Sequence, residues 1–365
     1  MKIVHVCNNY FSSRVHQNLS SALVGKVSGQ VFLVPIKGDV DVGVYDRSTL
    51  RVFRYPRFLR YFPFVKCLYV FVVVLLDPVA RSAIRDADRV VAHNFWSDGV
   101  VSFFLSFFFK FKFLLVIRNT DINIFIPKLV HYRWLMRLMI RASVSVVFVS
   151  KAYEFRFKSK FSKLYREMDH KCVVIPNGID KYWIDNRIEY REYRPESILY
   201  VGRFVEVKNL DRLIEACALL RRRRPGLTLT LVGGYVEELV GLVGKQPPAF
   251  VRVVESIKER SLLIKYYRSA RVFAMPSLGE TFGLTYIEAI SQGCSIICSQ
   301  GEGVDGMFSP EISLAANPLS VESIALAIDR MCQKNPKGIS VDLMNDCIHL
   351  FDWDAVADMY IENLI

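Results

Sequence analysis

Short apolar runs rich in β-branched residues alternate with longer amphipathic stretches along the 365 residues. This alternation constrains the fold most, because it is typical of parallel sheets whose strands are joined by helices. The runs are nearly all apolar, as expected of strands covered on both faces. They predict an α/β protein with strands at 2–7, 31–36, 89–93, 113–117, 145–149, 172–175, 197–201, 228–232, 250–254, 271–275 and 295–298.

The length of the chain predicts more than one domain. One hydrophobic core rarely serves 365 residues, so two domains of roughly 150 to 200 residues are expected. The character of the chain changes near Pro176-Asn-Gly-Ile-Asp180, and the polar stretch 181–196 that follows is interpreted as a linker and hinge. Helical periodicity predicts helices at 209–222, 322–331 and 353–364.

The charge of the chain is unevenly distributed. The 48 Lys and Arg exceed the 36 Asp and Glu by 12. Residues 1–150 contain 20 Lys and Arg against eight Asp and no Glu, so the whole excess lies in this half. Such an excess indicates an anionic partner: nucleic acid, an anionic membrane face or a phosphorylated substrate. We expect no nucleic acid, because the sequence contains no recognisable groove-reading or base-stacking module.

Cysteine usage and hydropathy indicate a cytoplasmic protein. The eight Cys include no Cys-x-x-Cys pair and mostly lie in apolar stretches, as reduced cysteines do. The N-terminus lacks the pattern of a signal peptide. The longest uncharged apolar runs, 67–76 and 99–109, are shorter than the roughly 18 to 20 residues of a spanning helix, so we expect none.

The stretch Met275–Gly293 contains two carboxylates in a pattern that suits a ligand. An apolar strand ends at Pro276, a Gly-containing turn presents Glu280, and a helix begins near 282–284, where free N–H groups bind anions. Glu288 follows eight residues after Glu280. Such a pair suits hydroxyl groups on either side of a diphosphate, although the spacing alone is more typical of a capped helix with two solvated glutamates.

A second motif follows the strand at 197–201. The strand ends at Gly202, which permits close approach of a ligand, and Arg203 and Lys208 bracket the next loop. Two cations at a strand end suit a pyrophosphate, and ligands bind at the carboxyl ends of strands in such sheets. Alone, the motif would also fit an exposed basic loop. Leu231-Val-Gly-Gly234 ends a strand between the two motifs.

Together these motifs resemble the group 1 glycosyltransferases, the family-4 retaining enzymes of the GT-B fold. The counterparts are Val174-Ile-Pro-Asn-Gly-Ile-Asp180, Tyr200-Val-Gly-Arg203 with Lys208, Leu231–Gly234 and the pair Glu280 and Glu288. The resemblance covers essentially the whole chain and is strongest in the C-terminal half. It implies two Rossmann-like parallel-sheet domains facing a central cleft. Residues 1–178 would bind the acceptor and 179–350 the donor, and a C-terminal helix within 351–365 would cross back onto the first domain.

The resemblance also implies a donor site for a nucleotide-diphosphate-sugar. Arg203 and Lys208 would bind the diphosphate in place of a metal, Glu280 would hold sugar hydroxyls, and Glu288 would bind the ribose diol. The nucleotide base would pack near residues 255–258. The family often has Gly at the position of Ser256, and this difference leaves the identity of the base open. The implied donor-binding residues are Gly202, Arg203, Lys208, Glu280, Phe282, Gly283, Leu284 and Glu288. No cofactor and no metal are expected.

The N-terminal half offers candidates for the rest of the machinery. His93 and Asp121 each follow a predicted strand, and we consider a structural role equally open for both. With them, the predicted catalytic set is Glu280, Arg203, Lys208, His93 and Asp121. The predicted acceptor-binding residues are Arg118, Asn119, Ser13 and Arg14. Asn119 replaces the Gly of a common Arg-Gly-x-Asp sequence, and the loop 8–16 lacks the usual Gly pair. His5 and His131 are expected to be structural.

Asp39-Val-Asp41 has the Asp-x-Asp pattern that binds metal in the other major glycosyltransferase fold. None of the surrounding pattern of that fold accompanies it, so we interpret it as a solvated acidic turn. No His, Cys or Asp cluster has metal-ligand spacing.

Two basic, aromatic stretches bear on the acceptor. Arg51–Lys66 interleaves cations with aromatic residues, and Phe103–Phe109 precede Lys110 and Lys112. Either stretch suits an anionic membrane surface or an ordinary helix that packs its aromatics in the core. Related enzymes often act on lipid-linked acceptors, so we expect an anionic, lipid-linked or polysaccharide acceptor (capsule, lipopolysaccharide or exopolysaccharide) and peripheral contact with the inner face of the cytoplasmic membrane.

Two alternatives to a transferase remain open. One is a nucleotide-sugar-binding protein without transfer, against which the intact Arg203, Lys208, Glu280 and Glu288 argue. The other is a sugar phosphorylase or sucrose-phosphate-type enzyme on the same fold, which is less favoured because no cofactor lysine or phosphate-sugar pocket is identifiable.

Overall fold

A computed structural model of the protein describes residues 1–38, 46, 48–190 and 194–364. The contacts divide the chain into two compact units. The first unit comprises Met1–Val149, Tyr153–Gly178 and Trp353–Ile365, and the second comprises Ser150–Ala152 and Ile179–Asp352. Asp39-Val-Asp41 lies outside the described residues.

The first unit is built on a seven-stranded parallel sheet. Its strands are β1 (Lys2–Val6), β2 (Gly29–Lys37), β3 (Leu50–Tyr55), β4 (Arg89–Ala92), β5 (Lys112–Ile117), β6 (Ser145–Phe148) and β7 (Cys172–Val174). They lie in the order β3-β2-β1-β4-β5-β6-β7. The direction of winding reverses at β1, where Val4 pairs with Val31 on one side and Val90 on the other.

Helices cover both faces of this sheet. They are α1 (Arg14–Leu23), α2 (Pro63–Leu76), α3 (Pro78–Arg85), α4 (Ser97–Ser106), α5 (Ile126–Lys128), α6 (Arg133–Ala142), α7 (Lys151–Lys160), α8 (Ser162–Tyr165) and, from the C-terminus, α16 (Trp353–Glu362). Alternate strand residues face opposite layers, because side chains alternate along a strand. Leu115 packs with α2, α4 and α6, whereas Leu114 packs with α1 and α16.

The C-terminal helix α16 is part of the first unit. Its Trp353, Val356 and Tyr360 lie in the same buried cluster as Ile3 and Leu19. Polar contacts hold it at the edge of this cluster: Lys26 pairs with Asp358 at 2.6 Å, the Ser145 hydroxyl donates to the Asn363 carbonyl at 3.0 Å, and Arg89 donates to the Leu364 carbonyl.

The second unit contains a six-stranded parallel sheet. Its strands are β8 (Ser197–Val201), β9 (Thr228–Val232), β10 (Val251–Val254), β11 (Val272–Ala274), β12 (Ser295–Ser299) and β13 (Ser313–Ala316), in the order β10-β9-β8-β11-β12-β13. The winding reverses at β8. The helices are α9 (Lys181–Asp185), α10 (Leu210–Arg221), α11 (Val236–Val243), α12 (Arg260–Ser269), α13 (Leu284–Ser291), α14 (Val321–Lys334) and α15 (Val341–Ile348).

The predicted α/β class, with two Rossmann-like parallel sheets, is confirmed. All eleven predicted strands are present, with ends that differ by up to two residues. Sequence reasoning missed β3 and β13, which both lie at sheet edges. Two arginines interrupt the apolar run of β3, Leu50-Arg-Val-Phe-Arg-Tyr55, and Ser313-Leu-Ala-Ala316 carries little β propensity.

Two interpretations of longer segments need correction. The stretch 51–66 is not one segment, because it supplies β3, a short 3-10 helix at Arg57–Tyr61 and the start of α2. The described residues of the polar stretch interpreted as a linker pack into the second unit. Trp183 is buried there, and the buried Arg194 donates to the carbonyls of Ala270 at 2.7 Å and Gln292 at 2.6 Å.

Within the described residues, no single helix has the length and apolar character needed to span a membrane. The helices α2 and α3 meet that requirement only as a pair, and they are bent by 88° relative to each other.

Candidate functional site

Four loops of the second unit follow the carboxyl ends of neighbouring strands. They are 202–209 after β8, 233–235 after β9, 275–283 after β11 and 300–306 after β12. In a parallel sheet these ends share one edge, and the gap where the winding reverses is where ligands bind. The reversal at β8 therefore places the predicted donor residues of two separate motifs at one edge.

Glycines let the ends of β8 and β9 approach through their backbones. Gly233 has φ +133°, and a Cβ atom there would lie 2.1 Å from the carbonyl oxygen of Gly202. A Cβ on Gly234 would lie 2.6 Å from the ring of Phe204. A side chain at Gly233 would require the backbone to move, and one at Gly234 would require the Phe204 ring to move, which explains the Gly-Gly pair that the sequence shows here.

Lys208 and Glu280 form an ion pair at this edge. The Lys208 Nζ lies 2.5 Å from the Glu280 Oε2, and their side chains are only 18% and 15% exposed. The Lys208 loop is fixed by Asn209, whose backbone is left-handed at φ +59°. The Asn209 amide donates to the carbonyls of Pro276 at 2.9 Å and Pro318 at 2.7 Å. The two motifs identified in the sequence are thus joined directly.

Glu302 holds Glu280 from the other side. Its Oε2 accepts a hydrogen bond from the Glu280 N–H at 3.2 Å, and the Gly303 N–H donates to the Glu280 carbonyl at 2.9 Å. Glu302 is buried. Sequence reasoning missed it, although an acidic residue between Gly301 and Gly303 just after an apolar strand is a signal of the same kind as Glu280.

Arg203 lies in an exposed part of the same edge. The Tyr200 hydroxyl donates to the Arg203 carbonyl at 2.9 Å and fixes the backbone after β8. In the part of the chain that the structure describes, the Arg203 guanidinium forms no salt bridge, so its charge is directed to solvent at the strand end. Arg203 and Lys208 place two cations on one loop.

The start of α13 depends on Gly283. Its φ is +81°, and a Cβ atom there would lie 2.6 Å from the ring of Tyr286. Phe282 is buried, and Leu284 is the first residue of the helix. The Tyr286 hydroxyl donates to the Met275 carbonyl at 2.5 Å, which ties the helix to the end of β11. The predicted Phe282–Leu284 N–H groups therefore lie at a helix N-terminus, where the backbone attracts anions.

Glu288 lies on α13, half-buried, with a polar surround that the sequence did not reveal. The Tyr267 hydroxyl donates to its Oε2 at 3.1 Å. Burial raises the pKa of Glu288 to about 7, while the Tyr267 hydrogen bond and the Arg260 charge act in the opposite direction. Arg260 itself makes a bidentate pair with Asp180, at 3.0 and 2.6 Å. The ionisation of the Glu288 carboxyl group therefore changes near neutral pH.

In the first unit, three histidines cluster at the carboxyl edge around the reversal at β1. The His5 Nδ1 lies 3.0 Å from the His93 Nε2, and the His16 and His93 ring centroids are 4.8 Å apart. All three are buried. Burial lowers the pKa of His5 to about 3, and the pKa values of His16 and His93 are also well below the ordinary value. The cluster is therefore neutral at physiological pH, and His93 remains a candidate catalytic residue only as a prediction.

Asp121 organises the adjacent turns. Its carboxylate accepts hydrogen bonds from the N–H groups of Phe95 at 3.1 Å, Trp96 at 3.2 Å and Arg118 at 2.9 Å. Burial raises the pKa of Asp121 to about 6, and the three hydrogen bonds act in the opposite direction. These contacts show a positioning role, which is separate from the catalytic role predicted for it. The nearby Asp98 was not singled out; burial raises its pKa to about 8, and it accepts from the Asn8 N–H at 3.2 Å.

The predicted acceptor residues occupy the same edge of the first sheet. The Arg118 Nε donates to the His93 carbonyl at 2.7 Å, so Arg118 joins the ends of β4 and β5. Asn119 follows it and accepts a hydrogen bond from Asn123. Ser13 caps α1, accepting from the Val15 N–H at 3.3 Å, and Arg14 is exposed at the helix start. The structure brings these residues near one edge without assigning them a ligand.

Among the described ranges, no group of three or more His, Cys, Asp or Glu side chains is arranged to hold a metal ion.

Two Rossmann-like parallel sheets with loops gathered at their reversal points define the GT-B class of fold. A solved structure described as trehalose-6-phosphate from E. coli bound with UDP-2-fluoro glucose has a TM-score of 0.68 to this chain, with 14% identity over 100% of this chain and 99% of the other. At that identity the likeness shows the fold alone.

The model of the glycosyl transferases group 1 family matches residues 184–346. This range contains both donor motifs, and the match confirms the resemblance to group 1 glycosyltransferases in this part of the chain.

Curated relatives match over part of their length. An uncharacterized glycosyltransferase of Methanocaldococcus jannaschii is 27% identical in an alignment of 236 positions that covers 59% of this chain and 58% of that protein. A phosphatidyl-myo-inositol mannosyltransferase of Mycobacterium tuberculosis is 25% identical over 199 residues, 51% of this chain and 52% of that protein. The chain thus spans about half the length of these relatives.

Proposed function

We propose that the protein is a glycosyltransferase that moves a sugar from a nucleotide-diphosphate-sugar to an acceptor. The observation that carries this proposal is the Lys208 and Glu280 pair at the reversal point of the second sheet, 2.5 Å apart, with Arg203 on the same loop. The cations match the diphosphate of a donor, and the carboxylate matches the sugar hydroxyls.

The chemistry that these residues support is departure of a nucleoside diphosphate. When the bond between the sugar carbon and the phosphate oxygen breaks, the electron pair moves onto the diphosphate, and positive charge develops on the sugar. Arg203, Lys208 and the N-terminus of α13 stabilise the leaving group, which is the charge that grows most in the transition state. The acceptor hydroxyl then bonds to the sugar carbon, and its proton passes to an oxygen of the departing diphosphate.

The proposal includes metal independence and retention of configuration. The two cations supply the charge that a divalent ion supplies to diphosphate in other transferases. Retention, by attack from the face that the diphosphate leaves, is the outcome that the resemblance to family-4 enzymes implies. Glu288, with its raised pKa and its Tyr267 partner, would receive the ribose hydroxyls.

For the acceptor we propose an anionic molecule, lipid-linked or part of a growing polysaccharide, met by the first unit in the cytoplasm at the membrane face. The support is the charge excess of residues 1–150, which contain 20 Lys and Arg against eight Asp. The match to a phosphatidyl-myo-inositol mannosyltransferase points in the same direction.

A donor panel tests the proposal. Nucleotide sugars are screened by thermal shift, because a ligand that binds the native state raises its melting temperature. The donors that bind are then assayed, with EDTA present, for release of nucleoside diphosphate. We expect at least one donor to be hydrolysed slowly without acceptor, and Arg203→Ala to be slower by roughly 10²-fold. The exposed Arg222→Ala is the matched control. Binding without any release would favour a nucleotide-sugar-binding protein, and near-normal rates in Arg203→Ala would refute the diphosphate site.

A further inference from the structure

The outward face of α2 is apolar over its whole length. Its 14 residues include one charged side chain, Lys66, which donates to the Ser97 hydroxyl at 2.9 Å. Cys67, Val70 and Val74 face the core. The opposite face, at spacings of four, three and four residues, exposes Val65, Tyr69, Val72 and Leu76, and Leu76 is 73% exposed. A helix at a protein–water boundary normally carries polar residues on that face.

Exposed aromatic residues extend this surface at both sides of α2. Phe58, Tyr61 and Phe62 precede the helix, and Phe107 and Phe108 follow α4, which packs against α2. Phe71 of α2 lies 5.7 Å, between ring centroids, from Phe108. We call the whole set the apolar face: Phe58, Tyr61, Phe62, Val65, Tyr69, Val72, Leu76, Phe107 and Phe108. Contiguous exposed apolar patches of this kind mark interaction sites.

Cations accompany the apolar face. Residues 51–112 contain ten Lys and Arg against four Asp and no Glu. The Arg60 guanidinium lies 4.4 Å from the centroid of the Tyr61 ring. Of the four acids, Asp77 is paired with Arg51 at 2.6 Å and Asp98 is buried. Exposed cations in the segment are Arg54, Arg57, Arg60, Arg81, Arg85, Lys110 and Lys112.

From this combination we infer that the apolar face docks on an anionic lipid bilayer, with α2 lying in the plane of the interface. Apolar and aromatic side chains enter the boundary between headgroups and acyl chains, and the cations pair with lipid phosphates. A second copy of the chain fits less well, because a symmetric contact would bring the same cations together. The 14 residues of α2 reach ~21 Å, short of the ~30 Å hydrocarbon core, so the helix does not cross it.

The inference deepens the proposed function, on which it rests for the lipid-held acceptor, by assigning the membrane contact to a defined surface. Donor chemistry and docking use different units of the chain, so each can fail without the other.

Flotation of the full-length protein with vesicles tests the surface. Vesicles of phosphatidylcholine alone are compared with vesicles of phosphatidylcholine and phosphatidylglycerol in equal parts, at low and high salt. The test variant is Val72→Asp with Leu76→Asp, on the exposed face of α2. The matched control is Leu319→Asp with Leu326→Asp, two exposed leucines of the second unit. Circular dichroism and donor thermal shift verify that each variant is folded.

We expect the wild type to float with the anionic vesicles and to be released by salt. The α2 variant should partition at least about tenfold less, which corresponds to ~1.4 kcal/mol, and the control should float as the wild type does. Equal flotation of the α2 variant and the wild type would overturn the inference. So would absence of vesicle binding together with a dimer that the α2 variant dissociates, since the face would then cover a second copy.

Discussion

Donor binding should weaken as the pH falls through 7, because Glu288 must be ionised to accept the hydroxyls of a ribose. Burial raises the pKa of this carboxyl to about 7 from its ordinary 4.5. The phosphates of a nucleotide sugar are diesters and stay ionised over this range, so the carboxyl group dominates the effect.

The size of the effect follows from the pKa. If only the ionised carboxylate binds, a group with a pKa of about 7 is about one-tenth ionised at pH 6 and about nine-tenths ionised at pH 8. The dissociation constant of the donor should therefore be roughly tenfold higher at pH 6 than at pH 8, and binding at pH 6 should release close to one proton. Glu288→Gln should bind more weakly at pH 8 and show a flat profile.

The same group gives a stability effect of predictable sign. An acid whose folded pKa is raised keeps its proton in the folded state between about 4.5 and 7, so the stability it contributes is greatest below that window and is lost as the pH rises through it. Glu288→Gln should therefore raise the melting temperature more at pH 8 than at pH 6.

Isothermal titration in two buffers of different ionisation enthalpy measures both the affinity and the proton release. The exposed Glu237→Gln on α11 serves as the control and should keep the wild-type profile. A wild-type profile that is flat from pH 6 to 8, or a tenfold slope that persists in Glu288→Gln, would refute the ribose assignment.

Two further predictions concern the scaffold. Gly233→Ala should lower the free energy of unfolding by about 3 kcal/mol, because its Cβ atom would lie 2.1 Å from the Gly202 carbonyl oxygen at a positive φ. The control Gly241→Ala, in open space on α11, should raise it by up to about 1 kcal/mol. Urea unfolding measures both variants, and equal effects would contradict the close backbone contact. Asp121→Asn should lower the free energy of unfolding by about 3 kcal/mol, because an NH2 group would replace one of the two carboxylate oxygens that accept from three N–H donors. The control Asp88→Asn, at an exposed contact with the Lys2 N–H, should lower it by under about 1 kcal/mol. An Asp121→Asn variant as stable as the wild type would show that the turns do not depend on this carboxylate.

The sequence predicted the fold well because parallel strands covered on both faces leave a strong pattern of apolar runs. The pattern is weak in β3, where two arginines interrupt the apolar run, and in Ser313-Leu-Ala-Ala316, and this is why β3 and β13 were missed. It also fails where a strand, a turn and a helix share one composition. Arg51–Lys66 reads as a uniform basic and aromatic stretch, yet it folds into three different elements.

The candidate donor residues could be singled out in the sequence because they lie in two short motifs. Arg203, Lys208, Glu280 and Glu288 all follow strands in the sequence, so the topology of the sheet brings them to one edge. Their partners come from elsewhere. Glu302, which contacts Glu280, follows β12, and Tyr267, which contacts Glu288, lies on the preceding helix α12. Spacing along the chain carries no information about contacts of that kind.

In the first unit, sequence reasoning interpreted His5 as structural and considered His93 an open case. The structure shows that they belong to one buried cluster with His16. The three residues lie on β1, on α1 and after β4, so no motif joins them. The structure also reveals that Asp121 is saturated by backbone donors, which residue type alone does not show.

The central claim is that the cations of the β8 loop activate the diphosphate of a sugar donor, and comparison of two lysine variants tests it most directly. Lys208 lies 2.5 Å from Glu280 in a largely buried pair, whereas Lys245 lies 3.6 Å from Glu215 in a pair that is about half exposed. With the best donor from the panel, release of nucleoside diphosphate should be roughly 10²-fold slower in Lys208→Ala and within about twofold of wild type in Lys245→Ala. A Lys208→Ala variant that is folded, binds the donor and releases nucleoside diphosphate at the wild-type rate would contradict the account.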